Sequence, residues 1–280
     1  MIVDFHTHTF PDAIAQSTVD KLQAMSHVLP FSDGTAAGLR ARMRQAGVDW
    51  SVVLPVATSA RQVPHVNDAS ALLNQEGDGL VSFGCLHPDY AGWKAELARI
   101  AGLGLKGIKL HPIYQDVDLD DPRYLRILDR AGELDLLVLT HAGRDIGYPD
   151  RIRCTPEMAK HALAQVGPVK LILAHMGGWR CWDQVEELLG DTGVYLDTAF
   201  ALGCLIPNGD GFYQPADLPM MRTKQFLRMV RQFGADHILF GTDSPWRDQR
   251  QEIEQLRALP LTPEELQAIL GGNARRLLGL

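Results

Sequence analysis

The residues of this chain that could hold a cation or move a proton stand in one kind of place, just after a short apolar run. His6 and His8 follow Ile2-Val3-Asp4-Phe5, and Lys109 and His111 close Gly107-Ile108-Lys109-Leu110-His111. His141 closes Leu139-Thr140-His141, His175 follows Leu173-Ala174, and Asp243 follows Phe240-Gly241-Thr242. All of these except Lys109 can bind a metal directly. Neutral imidazole suits Zn, Fe, Ni and Cu. Residues two apart on a strand point to one face, so His6 and His8 would project together. A single His-x-His is weak evidence, but the same ending recurs along the chain and makes the joint pattern a candidate site.

To present these groups together, the apolar runs must be strands. Runs rich in β-branched residues at 2–6, 51–56, 80–86, 107–111, 136–141, 169–175, 193–197 and 237–241 read as eight strands. Helical spacing predicts helices at 38–46, 66–76, 92–103, 123–134, 157–166, 181–189, 224–233, 247–259 and 263–278. Thr262-Pro263-Glu264-Glu265 offers an N-cap threonine, proline at the first helical position and a glutamate that closes a capping box. Thr155-Pro156 and Asp121-Pro122 use the same start. Near-continuous apolar strands separated by helices predict a parallel sheet buried on both faces. Eight strand–helix units in one chain predict a closed (β/α)8 TIM barrel, whose strand ends form the rim where active sites lie. The alternative, a doubly wound open sheet, lacks a GxGxxG after the first strand. Segments 9–35 and 198–223 are longer than a barrel needs; both follow strands and read as functional loops. No linker, repeat or low-complexity stretch interrupts residues 1–280, so a single domain is expected.

Composition narrows the partners. Of 280 residues, 46% are apolar and 22% charged, which is ordinary for a globular protein. The net charge of −7 and the lack of a Lys/Arg-rich stretch argue against nucleic acid or an anionic membrane as partner. No apolar run approaches the ~18 residues of a spanning helix. The start lacks a basic region followed by an apolar core, so no signal peptide is read and a cytoplasmic location is expected. Cys85, Cys154, Cys181 and Cys204 form no CxxC. They read as reduced, mostly buried thiols rather than a thiolate zinc site.

Several motifs acting together carry a resemblance. They are Asp4-Phe5-His6-Thr7-His8, Ala46-Gly47-Val48-Asp49, Gly107-Ile108-Lys109-Leu110-His111-Pro112, Ala174-His175-Met176-Gly177-Gly178, Gly241-Thr242-Asp243 and the tail Gly272-Asn273-Ala274-Arg275-Arg276-Leu277-Leu278. With them the chain resembles the metal-dependent amidohydrolase superfamily, in its amidohydrolase-related (amidohydrolase 2) branch. That branch includes relatives of aminocarboxymuconate semialdehyde decarboxylase and of the resorcylate-type decarboxylases. The likeness covers nearly the whole chain and is specific for the family, not for the substrate.

The resemblance implies a distorted barrel of the metal-dependent hydrolase type. It implies one divalent ion, Zn²⁺ first, bound by His6, His8, His141 and Asp243. Asp243 would also accept a proton from water on that ion, and His175 would act as general base or polarise the substrate carbonyl. Lys109 and His111 stand between two roles. They bind substrate, the preferred reading, or hold a second ion with Lys109 carbamylated, as in some superfamily members. Arg61, His87, Arg144, Trp179 and Trp246 follow strands and are weaker candidates for lining the site. The two arginines would serve as bidentate clamps for a carboxylate.

The expected activity is hydrolysis of an ester, lactone or amide bond of a small molecule. The alternative is non-oxidative decarboxylation of a small unsaturated or aromatic acid, in which Lys109, Arg61 and Arg144 would meet carboxylates. A non-catalytic metal- or ligand-binding protein ranks third. A homodimer is expected from the family's habit.

Overall fold

Every apolar run read as a strand contains strand, the third of them split in two, and almost every strand residue is buried. The computed structural model describes residues 1–280. Its strands are β1 (Val3–Thr7), β2 (Trp50–Val53), β3 (Leu80–Ser82), β4 (Gly84–Cys85), β5 (Gly107–Leu110), β6 (Leu137–Thr140), β7 (Leu171–Leu173), β8 (Tyr195–Asp197) and β9 (Ile238–Leu239). The chain forms two compact units. One is Met1–Ser51 with Asp197–Leu280, and the other is Val52–Leu196.

In the unit Val52–Leu196, β4 to β8 pair in sequence order, each parallel to the next. The register sets Lys109 opposite Cys85 on one side and Leu139 on the other, and Thr140 opposite Leu173. Helices Val63–Gln75, Trp93–Gly102, Pro122–Glu133, Pro156–Gln165 and Trp182–Leu189 alternate with the strands. They bury Leu97, Ile100, Tyr124, Ile127, Leu128 and Val185. Asp121 and Thr155 cap their helices as expected, accepting from Arg123 N and Met158 N.

The expected third strand, 80–86, is broken at Phe83. Phe83 N bonds to Val53 O at 2.9 Å, whereas Gly84 and Cys85 pair with β5. Two side chains of helix Val63–Gln75 take the ladder bonds lost at this change of neighbour. Asn74 Oδ1 accepts Ser82 N at 2.5 Å, and Asn67 Oδ1 accepts Cys85 N at 2.7 Å.

In the other unit, β1 lies between the start of β2 and the end of β9. Asp49 N bonds to Ile2 O at 3.0 Å, Phe5 N to Phe240 O at 2.7 Å, and Thr198 N to Leu239 O at 2.9 Å. Segment 9–35 is not the loop expected: Asp12–Ser26 is a 15-residue helix. It gives little sequence signal, because only Ala15, Val19 and Ser26 are buried. Its N-cap, Pro11, makes no side-chain cap bond, and its left-handed stop is His27 rather than glycine. The expected last helix, 263–278, carries a π-helical turn at Ala268–Gly272 between Pro263–Gln267 and Asn273–Leu278. There Ile269 O accepts Phe240 N at 2.9 Å, so a carbonyl serves the end of β9 instead of the helix ladder. The helix expected over 247–259 runs from Gln249 to Arg257, and His237 lies in a 3₁₀ turn before β9 rather than within it.

All four cysteines are free thiols, with Cys85 and Cys154 buried. Burial pushes the Cys85 thiol up to about 12. No helix is long and apolar enough to cross a membrane.

Candidate active site

The predicted residues gather into two groups, one in each unit. The first forms where the tail of β1 zips to the loop after β9. Asp243 N bonds to His6 O at 2.8 Å, and His8 N to Ser244 O at 2.7 Å. This pairing brings three side chains together. His6 Nε2 lies 3.2 Å from His8 Nε2 and 3.4 Å from Asp243 Oδ1, and His8 Nε2 lies 3.1 Å from the same oxygen. Asp243 holds a left-handed backbone (φ 65°), a conformation that aspartate tolerates better than most residues.

Two carboxylates outside the ligand set shape this group. His6 Nδ1 lies 2.8 Å from Asp197 Oδ2, and both residues are buried. An ionised carboxylate can only accept, so Nδ1 carries the proton and Nε2 presents a lone pair to His8 and Asp243. His8 Nε2 can supply at most one proton to the group's three contacts. Lone pairs crowded this way suit a divalent cation better than each other, so the residues fit a metal. These atoms lie within 4.8 Å of one another. Asp4 sits beneath them and accepts from His6 N, Thr242 N, Thr242 Oγ1 and Gln249 Nε2 at 2.6–3.2 Å. Full burial pushes its carboxyl up to about 6, against the pull of those four bonds.

The second group lies at the ends of β5, β6 and β7. Gln115 ties three strand tails together. Its Oε1 accepts His111 N at 3.1 Å, and its Nε2 donates to Ala57 O at 2.8 Å and to Leu86 O at 2.6 Å. The His111 ring stacks on His141, with centroids 4.5 Å apart and planes 13° apart. His141 Nε2 lies 3.2 Å from Arg144 O, and its Nδ1 lies 3.1 Å from His175 Nε2. A carbonyl can only accept, so His141 is protonated at Nε2, and His175 Nε2–H donates to its Nδ1. Asp145 Oδ2 lies 3.8–3.9 Å from both His111 Nε2 and His141 Nε2. His175 (φ 59°) and Met176 (φ 54°) are both left-handed, and Trp182 Nε1 donates to His175 O at 3.0 Å. Sparsely populated backbone of this kind concentrates at functional sites. Lys109 is 1% exposed on β5, one strand residue short of His111 on the same face.

The weaker candidates divide. Trp179 is buried, its backbone paired to the His141 loop through Trp179 N→Ala142 O and Arg144 N→Trp179 O, both at 2.9 Å. Gly143 sits inside this close pairing. Its φ is +80°, and a Cβ there would come within 2.2 Å of Trp179 N. His87 is buried, accepts Asp89 N at its Nδ1, and has its pKa pushed down by burial. Trp246 is half-buried. Arg61 and Arg144 are exposed, and Arg144 Nη1 donates to Pro149 O at 3.2 Å. Two acids escaped the sequence reading as site residues. Asp197 carried a signal, since it ends an apolar run just as the histidines do. Asp145 carried none, because it lies inside a loop.

The amidohydrolase family model matches residues 3–280. The chain belongs to the amidohydrolase family. It is therefore an enzyme of the amidohydrolase superfamily, and of a metal-dependent family. Solved structures similar to this amidohydrolase include a TIM-barrel protein from Bordetella bronchiseptica, with 19% identity, 99% of this chain and 98% of that one covered, and a TM-score of 0.72. A second is a dihydroxybenzoic acid decarboxylase from Polaromonas sp. JS666 with bound manganese and the inhibitor 2-nitroresorcinol, at 17% identity, 100% and 97% coverage and a TM-score of 0.69. A third, from Pseudomonas putida, is assigned as a 2-pyrone-4,6-dicarboxylic acid hydrolase, at 18% identity, 99% and 97% coverage and a TM-score of 0.67. Identities this low show the fold, and the fold is the expected (β/α)8 TIM barrel. No curated protein matches the chain.

Proposed function

We propose that this amidohydrolase is a metal-dependent hydrolase that cleaves an ester, lactone or amide bond of a small molecule. The observation that carries the reading is the His6 imidazole, held by Asp197 so that its lone pair faces His8 and Asp243. That donor set, two imidazoles and a carboxylate, suits Zn²⁺, and Mn²⁺ as well. The sequence resemblance adds His141 as fourth ligand, but in the arrangement above its Nε2 meets Arg144 O and its Nδ1 meets His175 Nε2, so that role requires its ring to give up one of these contacts. When bound, such an ion polarises a carbonyl and lowers the pKa of water.

The chain's own groups do the rest. Asp243 Oδ1 accepts the proton of the attacking water and returns it to the leaving group. His175 offers a ring nitrogen to the substrate carbonyl or to the water. Lys109 and His111, on one face of β5 and its tail, hold the part of the substrate that does not react.

A second reading, decarboxylation of a small unsaturated or aromatic acid, is favoured by one observation. Lys109 is buried on β5, two residues before His111, and an ammonium at that position would suit a carboxylate. One experiment separates the two. The protein loaded with Zn²⁺ or Mn²⁺ is offered a panel of lactones, esters, amides and aromatic acids, with acid release and CO₂ release read in parallel. Acid without CO₂ supports hydrolysis, and CO₂ from an acid substrate replaces it with decarboxylation. Under the second reading Lys109→Ala raises KM for the acid strongly.

A further inference from the structure

Arg247 stands four residues beyond Asp243 and is 5% exposed. Its Nε donates to Glu252 Oε1 at 2.7 Å, and its Nη2 lies 2.5 Å from the same oxygen. Glu252 is 4% exposed on helix Gln249–Arg257, a helix whose N-cap, Asp248, accepts Gln251 N. The rest of the guanidinium is spent on backbone. Nη1 donates to Cys204 O at 2.6 Å and Nη2 to Leu202 O at 3.2 Å. Both carbonyls belong to segment 198–223, which leaves directly from Asp197, the residue that orients His6.

The segment is closed on itself at this point. Met221 N bonds to Ala201 O and Met220 N to Gly203 O at 3.0 Å each, and Leu205 N to Leu218 O at 2.8 Å. Gly203, between the two clamped carbonyls, has φ +78°, and a Cβ there would lie 2.8 Å from Gln255 Nε2 and 3.4 Å from Arg247 Nη2. The left-handed backbone at Gly203 favours glycine, and a side chain there would push the Gln255 amide aside. Lysine could not copy the contact, because a planar fork serves an acid along one edge and carbonyls along the other, whereas an ammonium is a point donor.

We propose that Arg247 is a positioning residue: it fastens the base of segment 198–223 to the loop carrying Asp243, and so sets how closely that segment holds a small substrate. The substrate-holding role rests on the hydrolase reading above together with the sequence expectation that segment 198–223, which starts at Asp197, is a functional loop. The clamp itself does not.

The test uses the full-length, metal-loaded protein and its variants Arg247→Met and Arg247→Lys. Metal stoichiometry, KM, kcat and the rate of limited proteolysis within 205–218 are measured for each. Arg247→Met is expected to keep its metal and kcat, to raise KM about 10- to 100-fold, and to be cut faster in the segment. Arg247→Lys should recover part of the KM. Unchanged KM and unchanged cleavage overturn the proposal, as does a fall in melting temperature with neither moved. If the wild-type protein hydrolyses no substrate of the panel, the hydrolase reading fails, while the proteolysis comparison still decides the clamp.

Discussion

His6 shows how one side chain is prepared for a cation. Its imidazole has two nitrogens, and Asp197 fixes which one carries the proton. Partners of this kind raise ligand basicity and lock ring orientation, and their loss typically costs about 10–100-fold in metal affinity. Asp197→Asn keeps the shape but can present an amide N–H where His6 needs an acceptor. Metal affinity, measured by competition with a chromogenic chelator, should fall by about that factor. An unchanged affinity would remove Asp197 from the role. Asp4 acts one layer below, holding His6 N and Thr242 N on one carboxylate, so β1 and the residue before Asp243 cannot shift independently.

Among the elements, helix Pro122–Glu133 shows how local chemistry defends the scaffold beneath the second group. Asp121 caps its first turn, and the same carboxylate pairs with Arg123 Nε at 2.8 Å. Arg123 holds the Asp121 carboxyl down, from 3.8 to about 2. A carboxyl depressed in the fold contributes stability above its unfolded pKa and loses it as pH falls through the folded one. Acid melts should therefore show stability lost between pH 3.8 and about 2 that Asp121→Asn does not show, since asparagine keeps the cap but cannot titrate. Asp121→Ala, which also removes the cap, should cost about 1 kcal/mol at neutral pH in denaturant unfolding. If the two variants melt alike at pH 7, the cap is not contributing.

For the whole molecule, a cation bound by residues from distant parts of the sequence must couple to folding. His6 and Asp243 are far apart in the chain, and an unfolded chain cannot offer both at once. Binding only to the folded state at a free metal concentration 100 times Kd adds about 2.7 kcal/mol. For a chain of this size that is about 5 °C in Tm. Chelation should lower Tm by that amount and abolish activity, with both restored by Zn²⁺ or Mn²⁺. A Tm indifferent to chelator and metal would mean that the group does not hold an ion. This measurement tests the metal centre without needing to know the substrate.

Much of this protein is legible in residue order alone, because the physics is local. β-branched runs separated by helical spacing specify strand after strand, and Thr-Pro-Glu or Asp-Pro starts specify where helices begin. A strand's two-residue period placed His6 with His8 and Lys109 with His111. What escaped depended on atoms far apart in the chain. Helix Asp12–Ser26 has too thin an apolar stripe and no glycine stop to announce it. The break at Phe83 exists because the strand changes neighbours there, and the asparagines that repair it lie on another element. Asp145 became part of a histidine group through the fold of a loop. Arg247 looks like a solvated helix-start arginine until Glu252 and two carbonyls of a distant segment surround it. Sequence determined the strands, their order and the residues able to do chemistry. Tertiary structure decided which nitrogen of His6 carries a proton and which backbone Arg247 holds, because hydrogen bonds across the fold have no period along the chain.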